Sequence, residues 1–167
     1  MVLSIHAVIL ILIVTLAAII DVYKRIIPNW LTYPALICGL VFGFLPDSGP
    51  TITSSLLGFA IAFFPALLLF VLNSLGGGDV KLLAAIGAWI GFPMIVDVLV
   101  YSAIAGGGMA LILIIWKGLF WSLIKEFFIK LFSKKSNTAL TINKMRIPFG
   151  VAIALGTGWA LFLPPYY

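Results

Sequence analysis

Charged residues are scarce in this sequence. Of its 167 residues, 9% are charged and 63% are hydrophobic, and the mean hydropathy is +1.26. Soluble domains are about one quarter charged, so this composition excludes an ordinary water-soluble domain and indicates an integral membrane protein. No stretch of soluble composition is left from which a second domain could be built. We therefore expect one polytopic membrane domain covering residues 1–167.

Cysteine and histidine occur only once each, as Cys38 and His6. A single cysteine cannot form an intrachain disulfide or a multi-cysteine metal site, and no group of residues has metal-ligand spacing. No serine or cysteine has a histidine close by in the sequence that could serve as its base. We therefore expect no metal and no other cofactor, and we expect no nucleic acid among the partners.

Polar residues divide the chain into apolar segments that suit membrane-spanning helices, which need about 20 residues each. The sequence predicts an all-α integral membrane fold with six transmembrane helices: Leu3 to Ile20, Leu31 to Leu45, Ile52 to Leu72, Val80 to Phe92, Met94 to Trp116 and Ile147 to Leu163. The fourth segment is too short to cross the whole bilayer. We expect the "GGGD" stretch before it to be non-helical and to line a water-filled cavity.

The basic residues predict the orientation of these segments. Alternate threading puts all ten Lys and Arg residues on one side, which the positive-inside rule identifies as the cytoplasm, with both termini outside. The same threading brings Asp21 and Asp79 together at the cytoplasmic face.

The segment "LFWSLIKEFFIKLFS" differs from the predicted spans. Its polar residues recur at helical spacing on one stripe, which is typical of an amphipathic helix lying in the membrane interface: Ser122, Lys125, Glu126, Lys130 and Ser133. The alternative is an extension of the fifth span, which would make a helix longer than tilting can accommodate. We therefore predict an interfacial helix in addition to the six spans.

The five acidic residues are the candidates for chemistry, because charge beside a membrane is costly. They are Asp21, Asp47, Asp79, Asp97 and Glu126. Asp47 lies in a "PDSGP" turn, where aspartate is common, and Glu126 belongs to the amphipathic stripe. We expect a structural role for Asp97, near the outer interface.

Asp21 and Asp79 each have a structural alternative. Asp79 could cap the fourth helix and meet the positive end of its dipole. Asp21 falls at the carboxyl end of the first span, where the dipole disfavours an anion, so its alternative is a salt bridge to Lys24 or Arg25. Exposed pairs of that kind contribute little stability.

The glycines before Asp79 favour a catalytic interpretation. Consecutive glycines cost backbone entropy but allow another backbone to approach closely. Two facing carboxylates beside such a stretch suit aspartyl proteolysis, in which one takes a proton from water and the other donates one to the carbonyl oxygen. We assign catalysis to Asp21 and Asp79, and substrate binding to Gly76, Gly77, Gly78 and Lys81.

The remaining glycines fit helix packing, because small residues let membrane helices approach closely. This interpretation covers Gly39 with Gly43, Gly87 with Gly91, and the run Gly106 to Gly108.

Three blocks of sequence, "DVYKRIIPNWLT", "GGGDVKLLAAIGAWIG" and "RIPFGVAIALG", resemble in this order the type IV prepilin peptidase family of membrane aspartyl proteases. The resemblance implies that Asp21 and Asp79 are the catalytic pair. It also implies cleavage of the short basic leader of prepilin-like precursors, at the cytoplasmic face of a prokaryotic cell membrane. The partners would be the precursor protein and the lipid bilayer, and the oligomeric state is not indicated.

The chain departs from larger members of that family, which carry a cytoplasmic insert with paired cysteines and also methylate the new amino terminus. It resembles the small, peptidase-only branch that serves Flp (tight-adherence) pili, or an archaeal relative. Phe149 stands where a tyrosine is common in the third block, which removes a hydrogen bond.

Two other functions are compatible with the residues. A small proton-coupled carrier also uses paired carboxylates in a helical bundle, although it should have inverted repeats or an acidic site at mid-bilayer. A non-catalytic subunit of a pilus or secretion apparatus should tolerate the loss of either carboxylate.

Overall fold

The computed structural model describes residues 5–45, 50–116 and 149–162, and all the regular structure in these residues is helical. The helices are α1 (Ile5–Lys24), α2 (Asn29–Phe42), α3 (Ile52–Val71), α4 (Gly77–Ile90), α5 (Met94–Trp116) and α6 (Phe149–Phe162). The all-α prediction is thus confirmed for the described part of the chain. The predicted interfacial helix, at 119–133, lies outside it.

Three of these helices contain segments that are long and apolar enough to cross a membrane: Ile5–Lys24, Ile52–Val71 and Met94–Leu113. Helices α2 and α6 are apolar but shorter. Helix α4 has 14 residues, which corresponds to about 21 Å against a hydrocarbon core of about 30 Å. Six membrane crossings therefore remain a prediction.

The backbone groups into two compact units, one of residues 1–106 with 148–167 and one of residues 107–147. The second unit is described only over residues 107–116, where it is the continuation of α5. The candidate residues Asp21, Gly76 to Asp79 and Lys81 all belong to the first unit, and a single domain over the whole chain stays a prediction.

Helix α4 forms the core of the first unit. Ten of its residues are buried, among them Leu82 and Ile86, which are fully inaccessible. Helix α3 presents small residues to this core at spacings of three and four, which places them on one face of the helix; they are Ser55, Gly58, Ala62 and Ala66. A Cβ on Gly58 would meet the carbonyl oxygen of Gly87, so only glycine allows the two backbones to approach this closely.

Large apolar side chains cover the outer faces of these helices. On α1 and α3 the exposed residues include Leu12, Leu16, Ile19, Leu57, Phe64 and Leu68. Small residues inside and large apolar residues outside are the arrangement expected when the surroundings are lipid. The distribution of residue sizes therefore supports a membrane environment for the bundle.

The packing interpretation of the other glycines holds for several of them. A Cβ on Gly39 would lie 2.7 Å from Cδ1 of Trp89, and one on Gly106 would meet the ring of Phe149. Gly91 has a φ of +68°, a conformation that glycine adopts without strain. At Gly107 and Gly108 no described atom lies within 4 Å of the added carbon, so packing does not account for these two within the described residues.

Candidate active site

Asp21 lies in the last turn of α1, and the helix continues past it to Lys24. The helix therefore extends four residues beyond Ile20, the predicted end of the first span. The chain leaves the helix at Arg25, which has a φ of 53° and whose N–H donates to the carbonyl oxygen of Asp21 at 2.7 Å. This left-handed residue turns the backbone towards α2, and Asp21 remains buried, with 6% of its surface exposed.

The carboxylate of Asp21 is held by a residue from the other end of the sequence. The backbone N–H of Gly150, in the first turn of α6, donates to Oδ2 of Asp21 at 2.8 Å. Lys24 and Arg25, in contrast, are both exposed. The local salt bridge that was the structural alternative therefore does not explain why Asp21 is buried.

Asp79 is the third residue of α4 and is also almost buried, with 9% of its surface exposed. Its Oδ2 accepts the backbone N–H of Gly76 at 3.2 Å, as the acidic residue of a capping box does. Gly77, Gly78 and Asp79 belong to the helix, so the expectation of a non-helical "GGGD" stretch is wrong for these three residues. Capping accounts for an acceptor side chain at this position but not for the burial of Asp79 beside a second carboxyl group.

The carboxyl groups of Asp21 and Asp79 lie within electrostatic range of each other. Helices α1, α4 and α6 contact one another pairwise and so bring the three sequence blocks together. Two buried carboxyl groups in mutual range can share a proton, since both cannot easily be ionised at once. The arrangement can supply an acid and a base to one reacting group.

Two contacts join the segment after α1 to the first turn of α4. A Cβ on Gly78 would lie 2.9 Å from Cβ of Ile27 and 3.3 Å from its backbone N and O, so the two segments pack without space for a side chain. Nζ of Lys81 donates to Oδ1 of Asn29 at 2.8 Å and lies 4.8 Å from the ring centroid of Tyr33. These contacts fix the relative position of the two aspartates.

Each residue assigned to substrate binding has a contact within the chain. Gly76 donates to Asp79, Gly78 packs on Ile27, and Lys81 is bonded to Asn29. A Cβ on Gly77 would lie 3.3 Å from Cε2 of Phe70. Their participation in substrate binding stays a prediction.

Of the three other acidic residues, the structure describes one. Asp97 lies in the first turn of α5, while Asp47 and Glu126 are outside the described residues. His6, near the start of α1, packs between aromatic rings, with ring centroids 5.0 Å from Phe42 and 6.5 Å from Trp89. This packing between aromatic rings indicates a structural role for His6.

Sequence reasoning missed Gly150, Ile27 and Asn29 as parts of the site. All three lie within or beside the blocks "DVYKRIIPNWLT" and "RIPFGVAIALG", so the blocks themselves were the available signal. A backbone N–H has no side-chain signature, and for this reason the contribution of Gly150 could be found only in three dimensions.

The fold and the site define the chain as a helical protein with apolar helices able to cross a bilayer and a buried pair of carboxyl groups. Comparison with known families identifies the lineage: residues 8–111 match the type IV leader peptidase family. This match covers more than half of the chain and includes Asp21 and Asp79. The chain belongs to the type IV leader peptidase family.

The chain is similar to several proteins named prepilin leader peptidase/N-methyltransferase. It is 34% identical over 102 residues to that of Aeromonas hydrophila, covering 58% of this chain and 35% of the relative. It is 29% identical over 150 residues to that of Xanthomonas campestris pv. campestris, covering 86% of this chain and 44% of the relative. It is 32% identical over 101 residues to that of Escherichia coli K12, covering 57% of this chain and 45% of the relative.

The matched regions thus span less than half of the length of these relatives. No solved structure matches the chain significantly. The family membership, together with the described geometry, supports a protease and leaves its chemical type and substrate to be proposed.

Proposed function

We propose that this protein is an aspartic endopeptidase of a prokaryotic cell membrane that removes the short basic leader from prepilin-like precursors. The observation that carries the proposal is the burial of Asp21 and Asp79 within electrostatic range of each other. The matched relatives are named for leader peptidase activity on prepilins, which supports the same class of substrate here.

In the proposed reaction the two aspartates share one proton. The ionised carboxylate takes a proton from water, which attacks the carbonyl carbon of the scissile peptide bond, while the protonated carboxyl donates to the carbonyl oxygen. Collapse of the tetrahedral intermediate breaks the C–N bond: the carboxyl group that took the proton from water gives it to the leaving amine, and the other carboxylate takes back a proton from the hydroxyl of the intermediate. No metal or other cofactor takes part in this scheme.

We propose that the reaction takes place at the cytoplasmic surface. Lys24, Arg25 and Lys81 lie on the segments that carry the two aspartates, and basic residues concentrate on the cytoplasmic side of membrane proteins. A precursor whose basic leader precedes an apolar helix would place its cleavage site at this level of the bilayer. The Gly76 to Gly78 stretch and Lys81 are the proposed contacts for its extended backbone.

We further propose that these 167 residues carry a peptidase activity of the kind that serves Flp pili or an archaeal counterpart. The paired cysteines that mark the larger, bifunctional members of the family are absent, since Cys38 is the only cysteine of the sequence. The carrier and non-catalytic subunit interpretations are not favoured, because the family is one of peptidases.

Reconstitution with a test precursor examines this proposal directly. The purified chain in lipid vesicles would be incubated with a precursor made of a lysine-rich leader followed by an apolar helix, and the products would be identified by mass spectrometry. We expect cleavage between leader and helix, with no added methyl group when a methyl donor is present. The proposal would be refuted if the precursor stayed intact after incubation with well-folded protein. It would also be refuted if the Asp21→Asn and Asp79→Asn variants cleaved the precursor as well as the parent does.

A further inference from the structure

Gly150 contacts Asp21 through a hydrogen bond and a close approach, and no other described residue provides both. Its N–H donates to Oδ2 of Asp21 at 2.8 Å, and a Cβ at this position would lie 2.8 Å from the same oxygen and 3.1 Å from Cγ. The close approach therefore requires glycine. The bond connects residues that are 129 positions apart.

Gly106 of α5 holds the beginning of α6 in place. The ring of Phe149 packs against Gly106, where a Cβ would lie 3.1 Å from Cδ2 of the ring. Because Phe149 directly precedes Gly150, the packing of the Phe149 ring fixes the position of the Gly150 amide. In the first turn of a helix such amides lack a partner within the helix, so the N–H is available to Asp21.

The second aspartate is held in the same manner. Gly76 donates its N–H to Oδ2 of Asp79 at 3.2 Å, and a Cβ on Gly76 would lie 2.8 Å from that oxygen. Each carboxyl group thus has one oxygen fixed by the amide of a glycine that cannot be enlarged without displacing it. This parallel suggests a common purpose, the orientation of both carboxyl groups.

We propose that Gly150 is a positioning residue for the peptidase reaction: its amide holds Oδ2 of Asp21, so that Oδ1 is directed to water and substrate. The inference rests on the proposed function. Gly150 acts only through Asp21, while the Phe149 ring seated on Gly106 holds the amide in place. This arrangement also explains why phenylalanine is sufficient at position 149, where packing and not a hydrogen bond is required.

Replacement of the Gly150 peptide bond by an ester, through incorporation of glycolic acid, removes the N–H and adds no atom. The matched control is the same ester at Gly158, inside α6, where no described atom lies within 4 Å of an added Cβ and an ordinary helical hydrogen bond is lost instead. Kinetics with the lysine-rich test precursor would give kcat and KM, and thermal unfolding in detergent would give the stability of each variant.

We expect the ester at Gly150 to lower kcat by about 10- to 100-fold, the effect of losing a hydrogen bond to a charged group. KM should stay within about twofold of the parent, because the carboxyl orientation matters in the transition state and not for binding. The ester at Gly158 should leave kcat unchanged. Equal kcat for the two esters would overturn the proposal, and so would a loss of kcat that parallels a loss of thermal stability.

Side-chain variants give a second, independent measurement. Gly150→Ala should lower kcat more than the ester does, because the methyl group displaces the carboxylate, whereas Gly158→Ala on the same helix should be neutral. An active Gly150→Ala variant would refute the positioning role. The aspartate variants separate the two levels of inference: if Asp21→Asn is inactive and the Gly150 ester is fully active, only the positioning role fails, whereas an active Asp21→Asn removes the proposed function itself.

Discussion

Ile27 packs directly on Gly78, and a Cβ on the glycine would lie 2.9 Å from Cβ of Ile27. Ile27 belongs to the segment between α1 and α2, and is buried with 4% of its surface exposed. The contact therefore brings the segment that follows Asp21 against the helical turn that carries Asp79. This contact helps to hold the two aspartates within electrostatic range of each other.

Gly78→Ala should reduce both stability and activity, because the new methyl group must displace Ile27 and its backbone. Overpacking of this kind costs about 1–3 kcal/mol. Gly108→Ala is the matched control, since no described atom lies within 4 Å of its added carbon, and alanine improves helix propensity by up to about 1 kcal/mol. Thermal unfolding and precursor cleavage would be measured for both variants. Equal behaviour of the two would show that the contact with Ile27 is not critical.

The sequence predicted the all-α class of fold and the proximity of Asp21 and Asp79, whereas their catalytic role stays a prediction. Low charge and long apolar segments indicate membrane helices, and an acidic residue in such surroundings is conspicuous. The boundaries near the site were less accurate. Asp21 precedes the end of α1 by three residues, and Gly77 and Gly78 begin α4 instead of forming a loop.

These differences have a common physical reason. Glycine has low helix propensity, so a run of glycines predicts a break in the helix, but the capping bond from Gly76 to Asp79 and the packing of Gly78 on Ile27 stabilise the helical turn. A local capping bond and a long-range packing contact thus together override the low helix propensity of glycine. The bond from Gly150 to Asp21 is the hardest of these contacts to predict, because the sequence near either residue carries no signal of it.

Asp21→Asn and Asp79→Asn should each abolish cleavage of the test precursor. An amide has nearly the shape of a carboxyl group but cannot take up or release the catalytic proton. We therefore expect the rate of precursor cleavage to fall by about 100- to 10,000-fold or more. Cleavage would be quantified by mass spectrometry on variants that retain the parent's thermal stability.

Three other acidic residues provide controls for that experiment. Asp47→Asn, Asp97→Asn and Glu126→Gln are expected to keep activity close to that of the parent, because none is assigned to the catalytic pair. If a stable Asp97→Asn variant were inactive, the outer part of the bundle would have a role that the present assignment lacks. Retained cleavage in either variant of the pair would exclude the aspartic mechanism.

Lys81 has two candidate roles, and its bond to Asn29 allows them to be separated. As an intrachain tether, Lys81 would contribute about 1 kcal/mol through the bond to Oδ1 of Asn29. Lys81→Met and Asn29→Ala should then destabilise the protein by similar amounts, and the double variant should be no worse than either single one. As a substrate contact, Lys81 should affect KM in addition.

The kinetic comparison decides between these roles. We expect Lys81→Met to raise KM for the lysine-rich test precursor by more than Asn29→Ala does, since only the first variant removes the group assigned to substrate binding. Identical KM values for the two variants would restrict Lys81 to a tether. Strictly additive losses of stability in the double variant would show that the 2.8 Å bond contributes nothing measurable.

The membrane orientation is open to labelling from each side. The bond between Lys81 and Asn29 puts the α1–α2 connection and the first turn of α4 at the same end of the bundle, and the positive-inside rule identifies this end as cytoplasmic. In a background with Cys38 replaced by serine, a cysteine introduced at Ser136 should react with an impermeant maleimide only from the cytoplasmic side. A cysteine at Ser48 should react only from outside, because α2 leads away from the basic end. Labelling of both positions from one side would break the alternate threading, and a fully reversed pattern would move the two aspartates, and the proposed cleavage, to the outer surface.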